Sequence, residues 1–381
     1  MSEKKRMANY ELLRGVAMIM IITLHFLSHS DSLLSLDQPV STVRILGTGL
    51  EFLSIAAVNT YVLISGYFGV RSCFKPSRAV ALLCQIWFYA LLIPFVLTLL
   101  GFSTKASGEG IYGLIWYLFP VETEHYWFAT SYLMLYLLTP VLNRAARAMT
   151  QKQFQITLGG LLILFCGIKS ISPLVFAFDK YGYDLPWFIC VYLVAAYLGR
   201  FGWRFAEKRS WLLYLFSSGI CFGINIVMYF LSQYSDNFAY YFTVPYHYNF
   251  VFCLTASIGL FYGFSKLKIR EGFPAEGIRK AGGLCFGVYL LHEHVDLRYR
   301  WYEAVKQVVN PSGQEGILLF LAEWIVSVIL LFGAGMLIDY IRSILFKGVS
   351  SALSGTAPGR WLRRLDVEME GKEQENEKAK N

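Results

Sequence analysis

Two ionisable residues, Arg14 and His25, stand inside one apolar run, YELLRGVAMIMIITLHFLSHS. Such groups are costly to bury in lipid, so their presence points to work done there. They are eleven residues apart, and at about 100° per residue that spacing comes to roughly 20° past three full turns. Both side chains therefore share one helix face, about 16 Å apart along the axis at ~1.5 Å per residue. A cation near one end and an imidazole near the other suit a long anionic cofactor, and the arm of coenzyme A has about that reach. A guanidinium fork can give phosphate two parallel hydrogen bonds, and a neutral imidazole can accept a proton at cellular pH. The plainer reading is that Arg14 pairs with Glu11, three residues earlier, or snorkels to the interface.

These residues need membrane helices to position them. The 381 residues are 56% hydrophobic and only 16% charged, where a soluble chain carries roughly a quarter. Apolar stretches of membrane-spanning length recur, such as AVALLCQIWFYALLIPFVLTLL, so the expected class is an all-α, polytopic integral membrane protein. The short alternating segments of an outer-membrane barrel are missing. About ten transmembrane helices are predicted, with eight to eleven as the range. They lie near residues 10–28, 46–69, 79–100, 127–146, 154–175, 185–202, 211–233, 247–265, 283–297 and 317–346.

With both termini cytoplasmic, the inside segments hold 26 of the 34 Lys and Arg, including Lys4 and Lys5, and the outside loops hold 7. That bias sets the orientation and accounts for the net charge of +8 without nucleic acid. The N-terminus reads as an uncleaved first helix, since no small-residue cleavage site follows His25. The seven cysteines are scattered, as buried apolar residues are. A membrane domain over 1–346 and a cytoplasmic tail over 347–381 are expected. The tail opens with the basic RWLRRL, which suits anionic lipid, and its charge-rich end is expected to be disordered.

Four motifs, in order, resemble the membrane acyltransferase-3 family, which includes bacterial polysaccharide and lipopolysaccharide O-acetyltransferases. They are Arg14 and His25 in the first helix, Ser65-Gly66-Tyr67 in VNTYVLISGYFGV, the stretch HYWFATSYLMLYLLTPVLN, and FGVYLLHEH near residue 290. The resemblance runs from residue 9 to about 295 and includes the ten-helix count. One departure is RSCFKPSR, where Arg71, Lys75 and Arg78 replace the tight Arg-x-x-Arg pair of many relatives.

The resemblance implies acyl transfer from acyl-CoA, most simply acetyl-CoA as co-substrate, with no permanently bound cofactor. The reaction needs a base, an oxyanion stabiliser and a held donor. His25 is the expected base toward the outer face, and Arg14 meets coenzyme A phosphates toward the cytoplasm. Ser65 and Tyr67 are expected near the thioester, or else serve helix packing. Arg71, Lys75 and Arg78 hold donor phosphates, or are ordinary positive-inside residues.

Glu122, Glu124, His125, Tyr126 and Trp127 form an outside cluster suited to sugar hydroxyls and ring faces, with His125 and Trp127 foremost, or to an interfacial belt. His292 is expected to line the substrate site or to be structural. No metal is expected, because His292 and His294 point about 200° apart on a helix. Expected partners are acyl-CoA, a glycan or lipid-linked sugar acceptor, membrane lipid and, as one option, a separate envelope acceptor protein. The expected location is the bacterial cytoplasmic (inner) membrane. The rival reading is a transporter or flippase of a small metabolite or lipid-linked sugar, since an intramembrane Arg and His also suit an anion or proton path.

Overall fold

A long apolar stretch in lipid must satisfy its backbone internally, so each becomes a helix. The computed structural model describes residues 6–173 and 180–378, with side chains through residue 371. No strand occurs among the described residues. Lys4, Lys5 and Lys380, counted in the loop charge, lie outside them, as do the side chains of Lys372 and Lys378 and the last two residues of the span 154–175.

A helix stands at each of the ten expected places. The first part of the chain forms α1 (Ala8–His29), α2 (Thr42–Ser54), α3 (Ala56–Gly69) and α4 (Pro76–Leu99). Two short helices, α5 (Lys105–Glu109) and α6 (Ile111–Leu118), precede α7 (Trp127–Ala148). Then come α8 (Gln151–Leu162), a π turn and α9 (Ile168–Ile171), followed by α10 (Leu185–Phe201), α11 (Arg204–Lys208) and α12 (Ser210–Ser232). The chain continues through α13 (Ala239–Thr243), α14 (Val251–Ser265), α15 (Phe273–His292) and α16 (Arg300–Val309). It ends in α17 (Ile317–Ser354) and α18 (Ala357–Lys378). Among the described residues, seven stretches are long and apolar enough to cross a membrane by length and composition.

Local chemistry sets several ends. Ser41 accepts the Arg44 N–H to start α2, Thr150 and Gln153 form a capping box on α8, and Asp184 caps α10 through the Trp187 N–H. Pro76 and Pro274 sit in the first turns of α4 and α15, where no N–H partner is lost. Helices α2 and α3 meet at Ile55, inside the bundle, where side chains bond the backbone at the start of α3. Thr60 Oγ1 and Ser257 Oγ donate to the Ala56 carbonyl at 2.7 and 3.0 Å, and the Cys253 thiol reaches the Ile55 carbonyl at 3.6 Å.

The core is built around α1, which packs on α2, α3, α14, α15 and α17. Helices α4, α8, α12 and α17 turn large apolar residues outward, among them Phe95, Ile156, Phe216 and Ile329, as lipid contact requires. Five of the seven cysteines are buried.

Two glycines let α15 approach its neighbours. A Cβ at Gly282 would run into Glu11 Oε2 and lie 2.7 Å from the Glu11 carbonyl oxygen, and one at Gly287 would run into the Asp339 carboxylate. Asp339 of α17 is fully buried, yet Gln85 Nε2 and Tyr89 Oη donate to it at 2.9 and 3.0 Å and Arg342 pairs with it. A buried carboxylate so satisfied is tolerated.

The end of the chain differs from expectation. Helix α17 has 38 residues and runs straight through the expected domain boundary at 346/347. Helix α18 covers Ala357–Lys378 and so includes most of the charge-rich end, from Glu368, that was expected to be disordered. It is held by tertiary contacts: Asp366 Oδ1 accepts the Ser77 N–H at 3.0 Å, at the first turn of α4, and Glu370 stands 4.0 Å from Lys75 Nζ. A carboxylate at a helix N-terminus is favourable, which composition alone does not reveal.

Gly282→Ala should lower stability by about 1–3 kcal/mol through overpacking against α1. Gly277→Ala, in open space on the same helix, should leave it unchanged or slightly raised. Unfolding midpoints of the two variants in mixed micelles check this.

Candidate active site

Helices α1 and α3 run in opposite senses along one cavity of about 2120 Å³. Its wall carries Arg14, Met18, Ile21 and His25 from α1, and Arg71, Tyr67, Ser65, Tyr61 and Val58 from α3 and its end. The two series give the same order from one end to the other. At one end the wall is cationic, with Arg6, Arg71, Lys75, Arg78, Arg342 and Lys347 against Glu370. At the other stand His25, Trp127 and Tyr248.

The shared face read from the spacing of Arg14 and His25 therefore lines one space. Arg14 Nη1 donates to Glu11 Oε1 at 2.9 Å, so the plain pairing is present. The Arg14 side chain nonetheless keeps 26% of its surface exposed and lines the cavity. Tyr61 Oη donates to the Arg14 carbonyl at 2.6 Å, tying α3 to α1.

His25 meets residues from the end of α15. Its Nδ1 lies 2.8 Å from His292 Nε2 and 3.3 Å from Glu293 Oε1. His292 Nδ1 lies 2.6 Å from the Val288 carbonyl oxygen. His292 and Glu293 are 1% and 9% exposed and stand behind His25 rather than on the wall. One ligand atom from each of the three residues falls within 4.8 Å of the others, a set the angle between His292 and His294 could not reveal, because its third member comes from α1.

The remaining expected residues divide. Tyr67 lines the cavity and packs on Tyr10 and Phe261. Ser65 also lines it, but donates its hydrogen to the Tyr61 carbonyl at 3.0 Å and meets Tyr132 Oη at 3.2 Å. The adjoining Gly66 takes the packing role, since a Cβ there would meet Ala195 and Tyr192 at 2.7 Å. Arg71 and Lys75 are bound at the cationic end, Arg71 to the Gly199 carbonyl and Lys75 near Glu370, and Arg78 shares that wall.

The outside cluster separates too. Trp127 lies on the wall, near-parallel to Tyr248 with centroids 5.9 Å apart, and Tyr183 closes an aromatic group with both. Glu122 and Glu124 are exposed and off the wall, Glu124 pairing with Lys180 at 3.2 Å. His125 is 3% exposed and both ring nitrogens are used, Nδ1 at 3.1 Å from the Trp116 carbonyl oxygen and Nε2 accepting the Val295 N–H at 3.3 Å. It joins the loop before α7 to the turn after α15 instead of facing a sugar. His294 stacks edge-on against it, with centroids 4.5 Å apart.

Sequence reasoning missed Tyr248, Tyr183 and Glu293. Glu293 carried a signal, since an acid beside two histidines at a helix end was in view. Tyr248 and Tyr183 had none, being two among 25 tyrosines.

An acyltransferase-3 family model, described as an acyltransferase domain, matches residues 7–340. No curated protein matches the chain and no solved structure does.

Burial, with the neighbouring His294, pushes His125 down to about 3, and burial does the same to His294. Both stay neutral in the fold, while the unfolded chain takes protons near pH 6.5. The native state then binds fewer protons, so stability should fall as pH drops from about 6.5 toward 3, by up to about 1.4 kcal/mol per pH unit for each group. His125→Gln should flatten that dependence in unfolding midpoints taken across the window.

Proposed function

The chain belongs to the acyltransferase-3 family and is a multi-pass membrane acyltransferase, and from that premise we propose that it moves an acetyl group from acetyl-CoA to a hydroxyl of a cell-surface polysaccharide or its lipid-linked precursor. The observation that carries this reading is the single cavity joining a cationic mouth to His25 past Arg14. A donor with phosphates at one end and a thioester at the other fits that order of chemistry.

In this reading the cationic mouth faces the cytoplasm of a bacterial inner membrane, in line with the loop charges. Donor phosphates rest on Arg71, Lys75 and Arg78, and Arg14 meets the arm part-way in. The acceptor enters from the opposite side, where Trp127 and Tyr248 offer ring faces to a sugar. His25 takes the proton of the acceptor hydroxyl as its oxygen bonds to the thioester carbon. The carbon–sulfur bond then breaks, and the leaving thiolate receives the proton from His25.

The transporter reading loses support from the family match, which describes a transferase. Sugar flux with no covalent product would restore it.

His25→Ala should lower transfer by ~10²–10⁴-fold, the usual worth of a general base, with the protein still inserted and folded. Arg14→Ala should chiefly raise the KM for acetyl-CoA. Purified protein in lipid, labelled acetyl-CoA and glycan extract measure both. Full activity in His25→Ala would end the proposal.

A further inference from the structure

The contact behind His25 defines which of its nitrogens can work. His292 Nδ1 faces the Val288 carbonyl oxygen at 2.6 Å. A carbonyl offers only lone pairs, so that nitrogen must carry the hydrogen. In neutral His292 the other nitrogen, Nε2, then bears a lone pair. His25 Nδ1 lies 2.8 Å from it, and two lone pairs cannot meet at that distance, so His25 Nδ1 carries a hydrogen and donates it. The remaining nitrogen of neutral His25, Nε2, is left with its lone pair. Glu293 Oε1, 3.3 Å from the same Nδ1, is a second acceptor for that hydrogen.

We infer that His292 and Glu293 are positioning residues that hold His25 in the tautomer with Nε2 free to act as the base. The inference rests on the proposed role of His25 and adds how that role is secured. During transfer the acceptor O–H bond breaks and its proton joins His25 Nε2. The Nδ1 hydrogen stays in place throughout, still donated to His292 Nε2 and shared with Glu293 Oε1. The positive charge formed on the ring thus meets two acceptors without any group having to move, which is the advantage of a preorganised site. When the thiolate leaves, the Nε2 proton passes to it and the starting tautomer returns.

The alternative use of the same three residues is a metal ion. Two nitrogens on one tetrahedral zinc stand about 3.3 Å apart, given Zn–N distances near 2.0–2.1 Å. The observed 2.8 Å is a hydrogen-bond separation instead. The Val288 carbonyl orients His292 in either case, so distance and not orientation separates the two.

The contact depends on the tight α1–α15 packing. Gly282 abuts Glu11 at one end of the pair, and His292 abuts His25 at the other. The two helices therefore run side by side in the same sense, and the distance between their axes sets the imidazole contact.

The test uses full-length protein in lipid with acetyl-CoA and acceptor glycan, comparing His292→Ala, His292→Gln, Glu293→Gln and His25→Ala. His292→Ala should lower kcat at least ~10-fold, within the ~10²–10⁴ a base contributes, with the KM for acetyl-CoA unchanged. His292→Gln, whose amide oxygen can accept from Nδ1, should recover most of that loss, and this rescue separates positioning from simple packing. Glu293→Gln should lower kcat, again without change in KM, because it keeps an acceptor and removes the charge. Thermal midpoints show which variants remain folded.

Wild-type kcat in both His292 variants, alongside an inactive His25→Ala, would overturn the inference and leave the proposed function standing. An active His25→Ala would overturn the proposed function itself. Stoichiometric zinc in the purified protein, measured by elemental analysis and lost in His292→Gln, would also overturn the inference, since the metal would then occupy His25 Nδ1.

Discussion

The close approach of α15 to α1 is the constraint on which the site depends. A first helix bearing Glu11, Arg14 and His25 can sit in an apolar bundle only if each polar group finds a partner or reaches water. Gly282 lets Glu11 lie flat against α15 while it pairs with Arg14. Some ten residues further along, His292 and Glu293 arrive behind His25. One helix pair thus disposes of two buried charged or titratable positions, and the unpartnered faces of Arg14 and His25 look into the same cavity.

The second helix pair supplies the opposite wall. Helix α3 presents Tyr67, Ser65, Tyr61 and Val58 to the cavity and turns Gly66 toward α10. Packing and lining therefore fall on adjacent residues of one motif, as they must on a helix, where neighbours in sequence point about 100° apart. At the junction of α2 and α3, Ser257 and Thr60 donate to the Ala56 carbonyl and the Cys253 thiol reaches the Ile55 carbonyl. Asn59, just past that junction, donates to the Tyr248 carbonyl at 2.8 Å and accepts from Trp187 Nε1 at 2.9 Å. That network holds the aromatic end of the cavity in place.

Chemistry is graded along the cavity in a way that fits the proposed donor. Cations crowd the end where charged phosphates would rest, Arg14 lies between, and an imidazole and aromatic faces occupy the far end. The C-terminal helix borders the cationic end through Glu370 and is fastened by Asp366 to the first turn of α4.

The sequence by itself determined the class of fold, because twenty-residue apolar runs leave a backbone in lipid no choice but the helix. It also determined that Arg14 and His25 share a face, because helical periodicity follows from spacing alone. Its four motifs sufficed to indicate the family. What composition could not supply was which residues from distant helices meet. His125, grouped with Trp127 by adjacency, is drawn away into backbone hydrogen bonds, while His292 and Glu293 reach His25 across 267 and 268 positions of chain. The charge-rich end of the tail, from Glu368, likewise reads as disordered by composition, yet it continues helix α18, with Glu370 near Lys75. Only the tertiary structure decided these, because a hydrogen bond between helices depends on how closely their axes approach, and that distance is set by the small residues where they touch.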